Sequence, residues 1–309
     1  MSALNPTQIP AAYIGRFAPS PTGPLHFGSL VSALASYLDA HHNQGKWLVR
    51  MEDLDPPREQ AGAADAILRC LEAYGLEWDD SVIYQSQRWD IYENYLNQLR
   101  QQNLIYACDC TRQDLHAMAG IYTGRCRTRS VDMNKPHTQR LKLYDLPEDF
   151  AGEEQLTFTD LIQGEQTQNL RTQAGDQILK RKDGLYAYQL AVVVDDIEQG
   201  ITHIIRGSDL LDVTARQIFL FKLLQSPVPI FGHVTLASHA NGQKLSKQNL
   251  APAIEVKDAA KNLWHALTFL NQNPPQQLRG NTPAEILNWA KLHWRRTSIS
   301  GLSAIYSPL

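Results

Sequence analysis

The sequence predicts an α/β protein built around a parallel β-sheet that an insertion divides into two halves. Strand patterns and helix patterns alternate up to about residue 90, as they do in βαβ units with parallel strands. The alternation stops in a stretch of mixed polar composition and resumes after residue 186. A chain of 309 residues also exceeds the usual size of one hydrophobic core, so an inserted or second domain is expected.

The first half of the predicted sheet begins with a strand over 12–17, which a run of prolines and glycines ends. Apolar residues then recur at helical spacing from Leu30 to Leu38, and Gly45 is expected to stop that helix. A second strand is predicted over 47–51, and a second amphipathic helix ends before Gly75. This order, strand, helix, strand and helix, indicates parallel strands.

The second half begins with Leu190–Val194, a continuous apolar run that predicts a central strand covered on both faces. Further strands are predicted over 201–205 and 228–236, with a helix over about 212–224 between them.

Only helical patterns follow, with apolar stripes from Ala260 to Leu270 and from Ile286 to Ala290. The segment Thr282–Glu285 is typical of a capping box with proline at the first helical position.

These patterns divide the chain into four predicted parts. The sheet-forming domain covers 1–103 and 186–249, and the insertion covers 104–185. A small helical C-terminal domain covers 250–309.

Composition excludes several classes of protein. Hydrophobic residues make up 43% and charged residues 20%, which excludes a wholly disordered or collagen-like chain. No run is apolar enough to span a bilayer and no basic signal segment opens the chain, so a cytoplasmic protein without membrane contact is expected. The net charge of −3 gives no general attraction to nucleic acid, so an RNA partner must meet a local basic surface. The arginine-rich segment 125–142 is one candidate, and a solvated loop is its alternative.

A first candidate site lies in the segment 16–29, between the first strand and the first helix. Ligands of parallel sheets bind beyond the carboxyl ends of the strands, where a helix N-terminus offers free N–H groups to phosphate. His26 can donate to phosphate oxygens, and Gly28 allows a base or ribose to approach the backbone. Ser29 follows directly. An ordinary loop histidine beside a glycine turn is the alternative for this segment alone.

A second candidate site is Gln243-Lys244-Leu245-Ser246-Lys247-Gln248, which follows a predicted strand and an Asn-Gly turn. Lys244 and Lys247 suit a loop that folds over a triphosphate and stabilises the charge of the transition state. An exposed basic loop is the alternative.

The two segments together resemble the His-x-Gly-His and Lys-Met-Ser-Lys-Ser signatures of class I aminoacyl-tRNA synthetases. The runs 16–23 and 48–55 resemble the glutamyl and glutaminyl branch, and the likeness extends over about residues 12–250. Ser29 replaces the second signature histidine, and Leu245 and Gln248 replace Met and Ser. The resemblance implies a doubly wound, Rossmann-type catalytic domain that binds ATP through His26, Gly28, Ser29 and Lys247.

An amino acid with one ammonium and two carboxylates requires an acid for the first and arginines for the second. Glu52, Arg16 and Arg206 lie at the ends of predicted strands, and Tyr188 can donate its hydroxyl. Surface ion pairs are the alternative for such residues. The resemblance assigns glutamate contacts to all of these and to the loop after the first strand: Arg16, Phe17, Ala18, Pro19, Ser20, Glu52, Tyr188 and Arg206.

Three of the four cysteines cluster as Cys108-x-Cys110 and Cys126, a pattern that suits structural zinc with its four tetrahedral ligands. On general chemical grounds His116 would be the fourth ligand. The chain also resembles the short glutamyl-queuosine tRNA(Asp) synthetases, and that resemblance implies Tyr122 instead.

Only 61 residues follow Gln248 in a chain of 309, whereas a full glutamyl-tRNA synthetase continues into a helical anticodon-binding region. We therefore expect no such domain. The resemblance implies that a monomer activates L-glutamate with ATP and Mg²⁺, without tRNA, and transfers it to queuosine in the anticodon of tRNA(Asp). His26 and Lys247 would stabilise phosphate charge, assisted by Lys244. A truncated glutamyl-tRNA synthetase, a small-molecule nucleotidyltransferase and a non-catalytic RNA-binding paralogue remain alternatives.

Overall fold

The computed structural model describes residues 12–118, 120–146, 154–238, 252–301 and 303–305. None of the helices in these ranges combines the length and the apolar composition that a bilayer crossing requires.

The described residues form twelve strands and eight α-helices, joined in places by short 3₁₀ turns. The strands are β1 Ile14–Phe17, β2 Lys46–Met51, β3 Ile83–Tyr84, β4 Ile105–Cys108, β5 Thr138–Leu141, β6 Gln155–Asp160, β7 Gly164–Asn169, β8 Gln177–Lys180, β9 His203–Gly207, β10 Ile230–Val234, β11 Leu236–Ser238 and β12 Ser303–Ile305. The helices are α1 Phe27–His42, α2 Ala63–Ala73, α3 Trp89–Gln101, α4 Arg112–Ala117, α5 Tyr188–Glu198, α6 Leu211–Leu223, α7 Ala259–Phe269 and α8 Pro283–His293.

The predicted parallel sheet is present and is split by the insertion. Strand β2 pairs in parallel with β1 and β3, and β9 pairs in parallel with β10. The two halves meet where the Thr202 N–H donates to the carbonyl of Ile14 at 2.9 Å. Side chains of β2 alternate between the two faces of the sheet, since Trp47 and Val49 pack in one apolar cluster and Leu48 in the other. Helices therefore cover both faces, as in a doubly wound fold.

Helix α1 covers one face because its apolar residues recur at helical spacing, and Leu30, Leu34 and Leu38 are all buried. The helix ends at His42, before the predicted stop at Gly45. Gly45 has a different role, since a Cβ at this position would lie 2.3 Å from the carbonyl oxygen of Tyr13. The chain thus needs glycine here to enter β2 beside β1.

The predicted central strand Leu190–Val194 is wrong, because these residues lie in helix α5. The five residues of the run are all fully buried, so no polar face reveals the helical period. A helix that packs against neighbours on every side reads as a continuous apolar run, as a central strand does. The observed length of 11 residues suits a helix better than a strand.

Two further predictions are corrected at the end of the sheet. The segment predicted as one strand over 228–236 forms β10, and the chain then continues into β11. Strand β11 pairs in parallel with β12, so the C-terminal part is not helical only.

The segment predicted as an insertion contains a three-stranded antiparallel sheet, in the order β4, β5 and β8, and an antiparallel hairpin of β6 and β7. The hairpin adjoins the central sheet, where the Leu161 N–H donates to the carbonyl of Phe231 on β10 at 2.8 Å.

The C-terminal helices α7 and α8 belong to the same apolar cluster as α1. The predicted capping box of α8 is confirmed, since the Thr282 side chain accepts from the Glu285 N–H and the Glu285 side chain accepts from the Thr282 N–H.

Candidate active site

An inner cavity of about 370 Å³ opens at the carboxyl ends of β1, β2 and β9. Parallel sheets present ligand sites at this edge. The lining residues come from the loop after β1, the start of α1 and the ends of the neighbouring elements: Arg16, Phe17, Ala18, Pro19, Ser20, Thr22, Leu25, His26, Ser29, Ser32, Glu52, Tyr188, Ile205, Arg206, Gly207, Asp209 and Leu210.

His26 is the N-cap residue of α1 and lines this cavity. Its Nδ1 accepts a hydrogen bond from the Ser29 N–H at 3.2 Å, so the proton of the neutral ring is on Nε2. The residue caps the helix with one ring nitrogen and can act as a donor through the other. The positive end of α1 lies in the same place, which favours a bound anion.

A buried network of ionic groups lies beneath the cavity. The Asp196 carboxylate, on α5, accepts from Arg16 at 3.2 and 3.4 Å and from Arg50 at 2.8 Å. Arg50, which is completely buried, donates in turn to Glu52 at 3.3 Å. Asp196 therefore holds two arginines of adjacent strands, and one of them holds Glu52.

The positive charges near the Glu52 carboxyl do not fully offset the cost of burying its negative charge. Burial raises its pKa above the ordinary carboxyl value, although the charges of Arg50 and Arg16 oppose the shift. An additional cation near Glu52 would stabilise the ionised form.

The Arg206 guanidinium is a buried positive charge that lacks a hydrogen-bonded carboxylate in the part of the chain that the structure describes. It donates to His233 Nε2 at 3.0 Å, to Thr214 Oγ1 at 2.8 Å and to the Leu210 carbonyl at 3.3 Å, and all three acceptors are uncharged. Its Nη1 is buried and has no hydrogen-bond partner among the described residues. Burial lowers the pKa of Arg206, so an additional anion at this point would stabilise its charge.

The inner cavity brings together nearly all of the predicted site residues. The predicted glutamate contacts all line it, as do His26 and Ser29, whereas Gly28 does not. Lys244 and Lys247 lie outside the described residues. Ala253, just beyond that gap, forms a β-bridge with His26.

Three polar lining residues, Thr22, Ser32 and Asp209, were not predicted from the sequence. For Asp209 a signal existed, because it follows the end of β9 within three residues of Arg206 and strand ends were already the predicted location. Ser32 had none, since it lies within a helix.

An outer cavity of about 340 Å³ adjoins the inner one, and the two share Ser20, Thr22, Glu52 and Tyr188. Its other lining residues are largely polar: Leu54, Asp55, Arg58, Glu59, Gln85, Arg181, Tyr186 and Ala187. The Glu59 Oε1 is buried and lacks a hydrogen-bond partner within the described part of the chain.

A separate cluster of thiols lies in the insertion. The sulfur atoms of Cys108, Cys110 and Cys126 all lie within 4.8 Å of one another. The Tyr122 hydroxyl lies 3.5 Å from the Cys108 sulfur, whereas His116 is exposed on α4. Cys70 is buried elsewhere, on α2.

The three thiols affect one another's ionisation. Burial opposes ionisation of Cys108, but hydrogen bonds from Tyr122 and Arg140 lower its pKa to about 7. Burial and the neighbouring sulfurs Cys126 and Cys108 raise the pKa of Cys110 to about 12. Closely packed thiolates repel one another, and a bound divalent cation would remove that cost.

The arginine-rich segment 125–142 is engaged within the protein. Arg125 and Arg127 form ion pairs with Asp114 and Asp176, and Arg140 lies 3.9 Å above the Tyr122 ring. The segment contributes to the structure of the insertion.

The amino-acid sequence is similar to those of known tRNA synthetases. Residues 14–286 match the family described as tRNA synthetases class I (E and Q), catalytic domain. The glutamyl-Q tRNA(Asp) synthetase of Pseudomonas fluorescens is 50% identical over 289 residues, which cover 92% of each chain. That of Serratia proteamaculans is 48% identical and covers 95% of this chain and 94% of its own.

Among solved structures, the glutamate-tRNA synthetase of Elizabethkingia anophelis has the same fold. The TM-score is 0.78 at 24% identity, and the match covers 96% of this chain and 68% of that one. The family match covers most of the chain, and the relatives are about 50% identical to it. The chain therefore belongs to the class I tRNA synthetases of the glutamate and glutamine branch, a family of ligases.

Proposed function

We propose that the enzyme condenses L-glutamate with ATP to glutamyl-adenylate and pyrophosphate without tRNA, and then transfers glutamate to queuosine in the anticodon of tRNA(Asp). The names of the relatives at 48 to 50% identity support the RNA substrate. The observation that carries the proposal is a pair of buried charged groups that line the inner cavity, Glu52 and Arg206, for both of which burial disfavours the charged form.

Glutamate fits this pair because it supplies both missing charges. Its ammonium would stabilise Glu52, whose pKa burial raises. One of its carboxylates would take the buried Nη1 of Arg206, which has no partner among the residues described. Arg16, Ser20 and Tyr188 line the same cavity, and Arg16 is as buried as Arg206.

In the first step a glutamate carboxylate oxygen attacks the α-phosphorus of ATP and pyrophosphate leaves. His26 is proposed to donate to the phosphates through Nε2–H, and Ser29 lies beside it in the first turn of α1. Lys244 and Lys247 are proposed to donate to the α- and β-phosphate oxygens. The bridge between Ala253 and His26 supports this, since it ties the chain after the lysines to the phosphate site. Mg²⁺ accompanies ATP in this chemistry.

In the second step a hydroxyl of the cyclopentene ring of queuosine attacks the glutamyl carbonyl and AMP leaves. The outer cavity is the proposed entrance for this ring, because it adjoins the glutamate site through Ser20, Thr22, Glu52 and Tyr188. Hydroxyl groups are well matched to carboxylate acceptors, and Glu59, one of the residues that line the outer cavity, has a buried carboxylate oxygen.

We also propose that Cys108, Cys110, Cys126 and Tyr122 hold a structural zinc ion. Three sulfurs within 4.8 Å of one another suit tetrahedral coordination by thiolates. The position of the Tyr122 hydroxyl beside Cys108 supports tyrosine as the fourth ligand over the exposed His116.

Glutamate-dependent ATP–pyrophosphate exchange in the absence of RNA tests the first step. We expect exchange with the parent protein and a loss of about 100-fold or more in the Lys247→Ala variant, as for other charge-stabilising groups of transition states. Absence of exchange in pure, zinc-loaded protein would favour a non-catalytic RNA-binding protein.

The second step is tested by transfer of labelled glutamate to three RNAs. We expect transfer to tRNA(Asp) that carries queuosine and none to unmodified tRNA(Asp) or to tRNA(Glu). Equal charging of the unmodified RNA would exclude the proposed acceptor, and charging of tRNA(Glu) would indicate a truncated glutamyl-tRNA synthetase.

A further inference from the structure

We propose that Asp160 and His233 are positioning residues that fix the Arg206 guanidinium for the glutamate carboxylate. This inference rests on the proposed function, in which Arg206 binds that carboxylate. The three residues come from different elements, since Asp160 ends β6 of the insertion, His233 lies on β10 and Arg206 on β9.

The geometry defines the direction of each hydrogen bond. Arg206 Nε lies 3.0 Å from His233 Nε2, and because arginine only donates, this ring nitrogen must accept. The ring proton is then on Nδ1, which donates to Asp160 Oδ2 at 2.6 Å. Asp160 therefore selects the tautomer of His233 that can receive Arg206.

The Asp160 carboxylate is itself held in place. Its Oδ1 accepts from three backbone N–H groups, those of Ile162, Gln163 and His233, at 3.0, 2.9 and 3.1 Å. Asp160 and His233 are both buried, so water does not compete for these bonds. This leaves Oδ2 directed at the imidazole.

The arrangement determines where Arg206 points. His233 accepts from Nε, and Thr214 Oγ1 and the Leu210 carbonyl accept from Nη2, so three acceptors fix one edge of the planar guanidinium. The other terminal nitrogen, Nη1, is the one that lacks a partner in the described ranges. Because these bonds fix the plane of the guanidinium, they also fix the direction of Nη1, and Arg206 is one of the residues that line the inner cavity.

The ionisation states agree with these roles. Burial lowers the pKa of His233, which keeps the ring neutral beside Arg206. Burial acts against ionisation of Asp160, but hydrogen bonds from His233 and from Gln163 lower its pKa overall, so the carboxylate stays ionised. The charge of Asp160 lies one ring away from Arg206 and leaves the guanidinium free to pair with substrate.

Asp160→Asn is the sharpest variant because it preserves shape. The amide oxygen remains on the backbone N–H groups, so the amide NH₂ faces His233 and favours the tautomer with the proton on Nε2. That tautomer cannot accept from Arg206. We expect the KM for glutamate in pyrophosphate exchange to rise roughly 10-fold or more, as for a lost hydrogen bond to a charged group, with the KM for ATP unchanged.

A pair of variants at His233 supplies the second test. Glutamine can place an acceptor near the Nε2 position and a donor toward Asp160, whereas leucine can do neither. We expect His233→Leu to raise the KM for glutamate roughly as much as Asp160→Asn, and His233→Gln to restore it to within about threefold of the parent. Glu165→Gln, at an exposed position on the same hairpin, is the matched control.

Titration calorimetry with glutamate and the thermal melting temperature complete the experiment. Weaker glutamate binding at an unchanged melting temperature supports the positioning role. Unchanged glutamate binding in Asp160→Asn, or equal losses of glutamate and ATP affinity together with a fall in melting temperature, would overturn it. If Asp160→Asn does not fold, the contrast between the two His233 variants decides. A parent without exchange activity would instead refute the proposed function, and the positioning role with it.

Discussion

His26 combines two contacts that belong to different atoms of one ring. Nδ1 accepts from the Ser29 N–H and caps α1, and the ring lines the inner cavity. Stability and catalysis at this residue should therefore respond to different substitutions.

We expect His26→Ala to lower the free energy of unfolding by about 1 kcal/mol, because an N-cap is lost. It should also lower kcat for pyrophosphate exchange about 100-fold, because the proposed phosphate donor is lost. His26→Asn provides the matched control, since asparagine can cap the helix but is too short to reach as Nε2 does. Urea denaturation should show restored stability in His26→Asn while exchange stays low. Recovery of both properties together would contradict two separate roles.

Residues at the ends of strands could be predicted from the sequence, and residues that act through others could not. Glu52 follows β2 and Arg206 lies next to the last residue of β9, and the carboxyl ends of such parallel strands form the ligand edge. Asp160 contacts His233 across 73 residues of sequence, and Asp196 contacts Arg16 across 180. No local pattern marks such partners, because their positions depend on how the whole sheet is assembled.

Helix α5, which was wrongly predicted as a strand, places Tyr188 and Asp196 close together. Tyr188 begins this helix and Asp196 lies about two turns further on, so both belong to one face. A helix places the two residues about 12 Å apart along its axis, whereas a strand would place them about 26 Å apart. Only the helix brings Asp196 beneath the cavity that Tyr188 lines.

Glu93, on α3, links that helix to β8 and gives a pH-dependent prediction. It accepts from Arg100 at 2.7 Å, from Lys180 at 2.7 Å and from Tyr186 at 2.6 Å. Burial opposes its ionisation, but these hydrogen bonds, with that of Lys180 the largest, lower its pKa from 4.5 to about 2. A lowered folded-state pKa means that this stabilisation is complete above the ordinary carboxyl pKa and is lost as the pH falls toward 2.

We therefore expect Glu93→Gln to be less stable than the parent at pH 7. The difference should shrink as the pH falls from 4.5 through the range down to about 2. Urea denaturation of both proteins at several pH values measures it, with Glu72→Gln, exposed on α2, as control. A difference that stays constant across this range would show that the ionised form of Glu93 contributes no stability.

In the whole molecule, the insertion is proposed to depend on its metal. We expect about one zinc ion per chain by mass spectrometry, a loss of that zinc in Cys126→Ser, and its retention in Cys70→Ser. Removal of zinc should lower the melting temperature, because ion binding contributes to the stability of the fold.

Comparison of Tyr122→Phe with His116→Ala then identifies the fourth ligand. We expect weaker zinc binding in Tyr122→Phe and unchanged binding in His116→Ala. The reverse result would assign the site to histidine.

The two adjoining cavities predict that activation and transfer can be separated. Glu59 lines only the outer cavity, and burial, with the nearby charge of Asp53, raises the pKa of its carboxyl. We expect Glu59→Gln to raise the KM for queuosine-containing tRNA(Asp) roughly 3-fold to 10-fold, the effect of one hydrogen bond, and to leave pyrophosphate exchange unchanged. A parallel loss of exchange would place Glu59 in the glutamate site instead.

The contact between Ile14 and Thr202 has a consequence for how the chain folds on the ribosome. These residues are 188 positions apart, and the contact brings the two halves of the central sheet together. At a translation rate of about 5 to 20 residues per second, roughly ten seconds or more separate their synthesis. Throughout that interval the edge of β1 that will face β9 lacks its neighbour, and an unpaired strand edge is a template for pairing with other chains. Nascent chains shorter than about 200 residues should therefore require chaperones to stay out of aggregates.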